Sequence, residues 1–330
     1  MVSLKVVQQS NAQVANLPRG LVALFIGATS GIGKSALQHF AQHAPAPRIY
    51  TVARPSTAAS HEKLIISLRL SKPEGTYKLI TADVSLVAEI DKVAKAVVDK
   101  ETKIDFLVMS AGFMAFEGRK DTREGLDPSM STRYYSRLRA VEQLLPLLNS
   151  TAVASPRIVS VLAGGREASI DESDLDLRDR TNWSFWNASV HSATMGTLAL
   201  EQIARENPRL SIVHWYPGPV ATPGLERAQK YGMNIPDPMS QEESGARALF
   251  LATSDRYAVQ RGLIAVPEGV ETAEKTRGGI FLVDPLGETI DNEVVLTDMR
   301  ERGVGEAVWN FTQKVFAASV AQSDERRDEL

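Results

Sequence analysis

Leu21-Val22-Ala23-Leu24-Phe25-Ile26-Gly27-Ala28-Thr29-Ser30-Gly31-Ile32-Gly33 is the stretch on which the fold turns. Its apolar first half, Leu21–Ile26, reads as a buried strand. The glycines at 27, 31 and 33 read as a tight turn, and Ile32–His43 carries a helical period. Working outward, further strands are expected at Arg48–Val52, Lys78–Thr81, Asp105–Met109, Arg157–Val161 and Ser211–His214. Helices are expected between them at His61–Leu70, Ser85–Val98, Gly125–Leu148 and Val190–Glu206. Strands feeding helices at this spacing make right-handed βαβ crossovers, so the fold class is α/β, a doubly wound parallel sheet of Rossmann type.

Outside that alternation, residues 1–20 read as an irregular N-terminal extension ending in Pro18 and Gly20. Residues 21–330 read as one extended domain. Within it, 222–277 is a polar, helix-forming insertion placed as a substrate lid, with Gln241–Ala252 as its best helix. Residues 279–330 supply a last strand, Gly279–Val283, and a closing helix, Glu306–Ala321. No internal repeat and no low-complexity tract interrupts the chain.

Composition narrows the function. The 330 residues are 43% apolar and 23% charged, within the globular range. A net charge of −3, from 37 Lys+Arg against 40 Asp+Glu, argues against a nucleic-acid partner. The absence of cysteine removes disulfides, thiolate nucleophiles and Cys-based metal sites. The five histidines show no metal-ligand spacing, and His39 and His43 read as a solvated helix face. No apolar run is long enough to span a bilayer, and no secretory signal opens the chain, so a cytoplasmic location is expected. The terminal Arg327-Asp328-Glu329-Leu330 is close to an ER-retention address, read here as coincidence because no entry signal accompanies it.

The glycine turn has a mechanical meaning. Gly27 lets the chain leave the strand sharply, Gly31 admits a pyrophosphate to the backbone, and Gly33 lets the helix press on the sheet. With Thr29, Ser30 and Ile32 they form a dinucleotide cradle at a helix N-terminus. The second strand runs into Ala53-Arg54 rather than a carboxylate, which suits a 2′-phosphate and points to NADP(H); a solvent-facing Arg is the plain alternative. Asp83, followed by Val84, is a candidate acceptor for the adenine amino group, a helix N-cap, or both.

These residues resemble the short-chain dehydrogenase/reductases. The resemblance covers about Leu21 to Thr222 and rests on Gly27-x-x-x-Gly31-x-Gly33, Asp83-Val84, Ser110-Ala111-Gly112 and Pro217-Gly218-Pro219-Val220-Ala221-Thr222. It implies that Ala111, Gly112, Pro217, Gly218, Val220 and Thr222 join the cofactor site. Tyr134-Tyr135-Ser136-Arg137, Leu198-Ala199-Leu200-Glu201 and the long tail are similar to a fungal secondary-metabolite branch, which implies an apolar small-molecule substrate. A homo-oligomer pairing through the two long helices is also implied by resemblance, unless the tail covers that face.

The family's Asn-Ser-Tyr-Lys set is replaced. Its positions fall on Arg133, Ala163, Ser189 and Ala193. No Tyr lies between Tyr135 and Tyr216, and the only lysines after Arg180 are Lys230, Lys275 and Lys314. Hydride delivery to a carbonyl builds an alkoxide that the Tyr normally protonates, so ordinary ketone reduction should be slow. Candidate substitutes are Arg133, as oxyanion stabiliser or holder of a carboxylate or carbonyl, or else a structural salt bridge; Ser189, chiefly as pocket wall; Ser160, as a catalytic hydroxyl; and Glu167, as a general acid or base or a solvated loop carboxylate. His191 falls about 200° from the catalytic face and reads as a back-face histidine. Trp183, Trp186, Trp215 and Tyr216 are candidates to clamp a planar substrate, or ordinary packing.

Three functions follow as expectations. The leading one is an NADP(H)-binding enzyme acting on an apolar secondary-metabolite intermediate, by hydride transfer to a pre-activated acceptor such as an iminium. A second is a non-redox cyclase, isomerase or pericyclase that keeps NADP(H) as scaffold. A third is a cofactor-bound pseudoenzyme.

Overall fold

The computed structural model describes residues 1–328, with side chains through 322. Seven strands, β1 (Val22–Ile26), β2 (Arg48–Ala53), β3 (Thr76–Thr81), β4 (Phe106–Met109), β5 (Arg157–Val161), β6 (Ser211–Trp215) and β7 (Phe281–Val283), form one sheet in the order β3-β2-β1-β4-β5-β6-β7. Every ladder is parallel. The helices are α1 (Leu4–Ala12), α2 (Gly31–His43), α3 (Pro55–Ser71), α4 (Val87–Val98), α5 (Pro128–Met130), α6 (Ser136–Ser150), α7 (Phe185–Glu206), α8 (Pro223–Lys230), α9 (Gln241–Thr253), α10 (Glu293–Glu301) and α11 (Val304–Asp328). The expected Rossmann-type fold is the observed one.

Both faces of the sheet are buried, as a parallel sheet requires. In β1 the two-residue period sends Val22, Leu24 and Ile26 into one core, with α4, α6 and α7, and sends Ala23 and Phe25 into the other, with α2 and α9. Strand order reverses between β1 and β4, so the carboxyl ends of these neighbours open a crevice. Gly27 and Gly33 hold it in shape. A Cβ on Gly27, at φ +100°, would lie 2.2 Å from the Ala111 amide nitrogen. One on Gly33 would lie 2.2 Å from Ser110 Oγ and 2.6 Å from the Gly27 carbonyl oxygen.

Three expectations change. Residues 1–20 are not irregular: α1 begins at the Ser3 cap and packs on α9, where Asn11 Nδ2 donates to the Ala246 carbonyl at 2.8 Å. The stretch 222–277 is not one lid, because α9 lies flat on the sheet layer against α2, with Ala248, Leu249 and Phe250 in the core. Only its start, Thr222 to Gly224, reaches the crevice. The expected long helix Gly125–Leu148 is broken, with α5 passing through a π-helical turn, Ser131–Tyr135, into α6. Outside α7 and α4, α11 covers the protein and meets α6 through Gln313 on Glu142 and Phe316 beneath Arg139. Of the terminal tetrapeptide, Glu329 and Leu330 lie outside the described residues.

Candidate active site

The crevice is a cleft of about 630 Å³. Its outer end is lined by Gly27, Thr29, Ser30, Gly31, Ile32 and Gly33, with Arg54, Asp83, Val84, Ala111, Gly112, Pro217 and Thr222 around them. Gly218 and Val220 do not line it. Gly218, at φ +68°, packs by Pro285, and Val220 is buried where Ala221 and Met239 bond through the backbone. Their part is to carry Thr222 over Gly31, whose added Cβ would come within 3.0 Å of Thr222 Cγ2.

The outer end fits a dinucleotide on its own geometry. Ser30 leaves the first N–H groups of α2 without a side-chain cap, and the glycine backbone beside them is bare because no Cβ could fit there. Arg54 precedes Pro55 at the head of α3, exposed at the rim where β2 ends. Asp83 accepts from Ser85 N and Oγ at 3.0 and 2.8 Å, closing a turn rather than capping the next helix. That cap comes from Glu124, which accepts from the Val87 and Ala88 amides at 2.6 and 3.0 Å.

The inner end differs. Arg133, in the π turn, is half-buried on the cleft wall, and its Nη1 donates to Ser189 Oγ at 3.0 Å. Ser189 in turn donates to the Phe185 carbonyl at 2.8 Å. The structure therefore joins two of the candidate residues, Arg133 and Ser189, in one hydrogen-bonded pair. Beside them is Arg137, unmarked as a site residue in the sequence. It is buried and lines the cleft, and its donors go to the Thr132, Val161 and Ala111 carbonyls and to Ser160 Oγ at 3.0 Å. Ser160 thus accepts from an arginine, is buried, and does not line the cleft. Burial pushes both guanidiniums down, Arg133 to about 10 against the pull of Asp127, and Arg137 to about 9 with Arg133 adding repulsion. Both stay cationic at neutral pH.

Glu167 is neither solvated nor in the cleft. It is buried and accepts from Gly165 N at 3.0 Å, Thr197 Oγ1 at 2.6 Å and Asn292 Nδ2 at 3.0 Å. Because Thr197 donates to Glu167, its oxygen accepts from His214 Nδ1 at 2.8 Å, which fixes His214 as the neutral δ tautomer. Desolvation pushes His214 down to about 4. His191 lies away from the cleft, its Nε2 accepting from the Asp171 amide and its Nδ1 donating to the Leu175 carbonyl, each at 3.2 Å.

The expected tryptophan clamp does not form. Trp215 is buried on the far core and donates to the Asp284 carbonyl, Trp183 packs into the other core, Trp186 is exposed, and Tyr216 lies beneath Arg166. The aromatic group near the cleft mouth is another one. Phe116 stacks on Tyr231 at 4.8 Å and meets Phe185 at 4.5 Å, while cleft-lining Phe113 lies beneath Arg227. Among the described residues, no Tyr or Lys lines the cleft. Tyr134 and Tyr135 turn into the core, on Thr312 and Asp176. Among the described residues no acidic or histidine cluster is placed to hold a metal, and no helix is long and apolar enough to cross a membrane.

Residues 21–230 match the family model of the short chain dehydrogenases. An NmrA-like family domain-containing oxidoreductase of an Aspergillus species is 63% identical over the full length of both chains. An oxidoreductase of Emericella nidulans is 36% identical over 97% of this chain and 99% of its own. Among solved structures, a short chain dehydrogenase from Burkholderia cenocepacia in complex with NADP superposes with TM-score 0.53, 19% identity, and 71% and 91% coverage of this chain and its own. The chain belongs to the short-chain dehydrogenase family, and it lacks that family's Tyr-x-x-x-Lys pair.

Proposed function

We propose that this family member is an NADP(H)-binding oxidoreductase of fungal secondary metabolism, acting on an apolar intermediate whose hydride acceptor needs no tyrosine proton donor. One observation carries the reading: the glycine end of the cleft offers a bare backbone beside a helix N-terminus, while the other end is lined by Arg133 and Arg137 and by no Tyr or Lys. NADP(H), when bound, supplies a hydride. The glycine turn and the α2 N-terminus would hold its pyrophosphate, and Arg54 would pair with a 2′-phosphate. Arg133, oriented by Ser189, offers N–H donors to an oxygen on the substrate. Phe113, Met114 and Leu162 supply an apolar wall.

The relative that is itself described as an oxidoreductase supports a redox role, and the neighbour solved with NADP supports the cofactor. The test is to supply candidate intermediates with NADPH and follow reduced-nicotinamide absorbance together with product. Product accompanied by equal loss of absorbance supports this reading. Product without nicotinamide turnover replaces it with the second, a cyclisation or isomerisation on a cofactor scaffold, which the same missing proton relay favours. No product with any pathway intermediate, despite NADP(H) binding, replaces both with a cofactor-bound pseudoenzyme.

We also infer that the helices α6 and α7 are closed to a second copy on the side α11 covers. Light scattering should return the mass of one chain.

A further inference from the structure

The inner end of the cleft holds more positive charge than its surroundings neutralise. Arg133 and Arg137 stand four residues apart, and neither forms an ion pair among the described residues. The one carboxylate close enough to influence Arg133 is Asp127, buried as the cap of α5. One of its oxygens accepts from the Ser129 and Met130 amides, and the other makes no hydrogen bond. Arg137 gives four of its five N–H donors to three carbonyls and a hydroxyl, which fix its position but leave its charge uncancelled. Arg133 commits one donor, to Ser189, and the rest of its planar fork stands at the wall of the cleft.

A guanidinium held from one side, beside a second fixed cation, is suited to a planar two-oxygen anion, which accepts two parallel N–H bonds and offsets the charge. We propose that Arg133, backed by Arg137, docks a carboxylate carried by the substrate, so that the enzyme selects acidic apolar intermediates over their neutral counterparts. This rests on the reading of the cleft as a joint dinucleotide and substrate site. It goes further in naming a chemical group on the substrate and the residue that chooses it.

The experiment uses the full chain saturated with NADP+, titrated by calorimetry with 2-naphthoate and with 2-naphthamide, which differ in charge and little in shape. The carboxylate should bind about tenfold or more tighter than the amide. Arg133→Gln should erase the preference, with NADP+ affinity and melting temperature as checks on folding. Arg133→Lys, which keeps charge without the fork, should retain a part of it. Should the Gln variant fail its folding checks, the Lys variant decides, and an unreduced preference there counts against the fork. No measurable affinity for 2-naphthoate, equal affinity for the two probes, or a preference that survives Arg133→Gln overturns the proposal. Failure of NADP+ itself to bind overturns the reading of the cleft instead, and it shows in the first titration, before either probe is added.

Discussion

The glycine end and the arginine end of one cleft are built from different materials. At the first, function resides in backbone: absent Cβ atoms, an uncapped helix start and a loop that brings Thr222 onto Gly31. The second is made of side chains on a sound scaffold, with Arg133 held by Ser189 on the cleft wall. A site made of chain shape cannot change without disturbing the sheet, whereas a site made of side chains can be rewritten by a few substitutions. That asymmetry accounts for a fold kept whole around a cleft without the Tyr-x-x-x-Lys pair.

The comparison breaks most visibly at the glycines. Gly33→Val would drive a side chain into Ser110 Oγ and the Gly27 carbonyl, so NADP(H) affinity should fall by about a hundredfold or more, measured by fluorescence titration. At the other end, Arg133→Ala should lower the rate of product formation by about a hundredfold while moving NADP(H) affinity less than about threefold. Equal losses in both would mean that the two ends are not separable. Arg54→Asp should reduce the preference for NADP(H) over NAD(H) by about tenfold or more in paired titrations, leaving the arginine end untouched.

The smallest effect is one of stability. His214 is neutral and desolvated when folded, and its pKa is depressed to about 4 from an ordinary value near 6.5. Above pH 6.5 neither state takes up the proton. Between 6.5 and 4 only the unfolded chain does, so stability should decline as pH falls through that window. Denaturant midpoints measured across it should show the decline, and Thr197→Val, which breaks the His214 to Glu167 chain, should lower the midpoint at every pH.

The strands and the first turn were legible because β-branched runs and glycine spacing are local signals. Arg157–Val161 begins and ends where its sequence pattern does. Other features depended on contacts that no local pattern encodes. The apolar residues of α1 are few and scattered, and α9 is what makes it a helix. The Ala-Leu face of α9 would look alike on a lid or on a sheet, and only the tertiary structure lays it against α2. Arg137 lies outside the family's four positions, and an arginine one turn beyond Arg133 resembles any surface cation until its carbonyl shell is seen. A signal was available: Arg133 and Arg137 stand four residues apart with no acidic residue between them. Glu167 lost its catalytic candidacy to partners on α7 and before α10, distant in sequence.

The amino-terminal arm has a consequence for the order of assembly. The Val2 amide bonds to the Leu286 carbonyl, and Arg247 Nη1 donates back to the Val2 carbonyl. Val2 therefore finds both of its partners only once the residues through Leu286 have been made. Until then α1 has nothing to rest on, and the early strands must collapse without it. Maturation should end with the docking of this arm, as a late step that follows closure of the sheet.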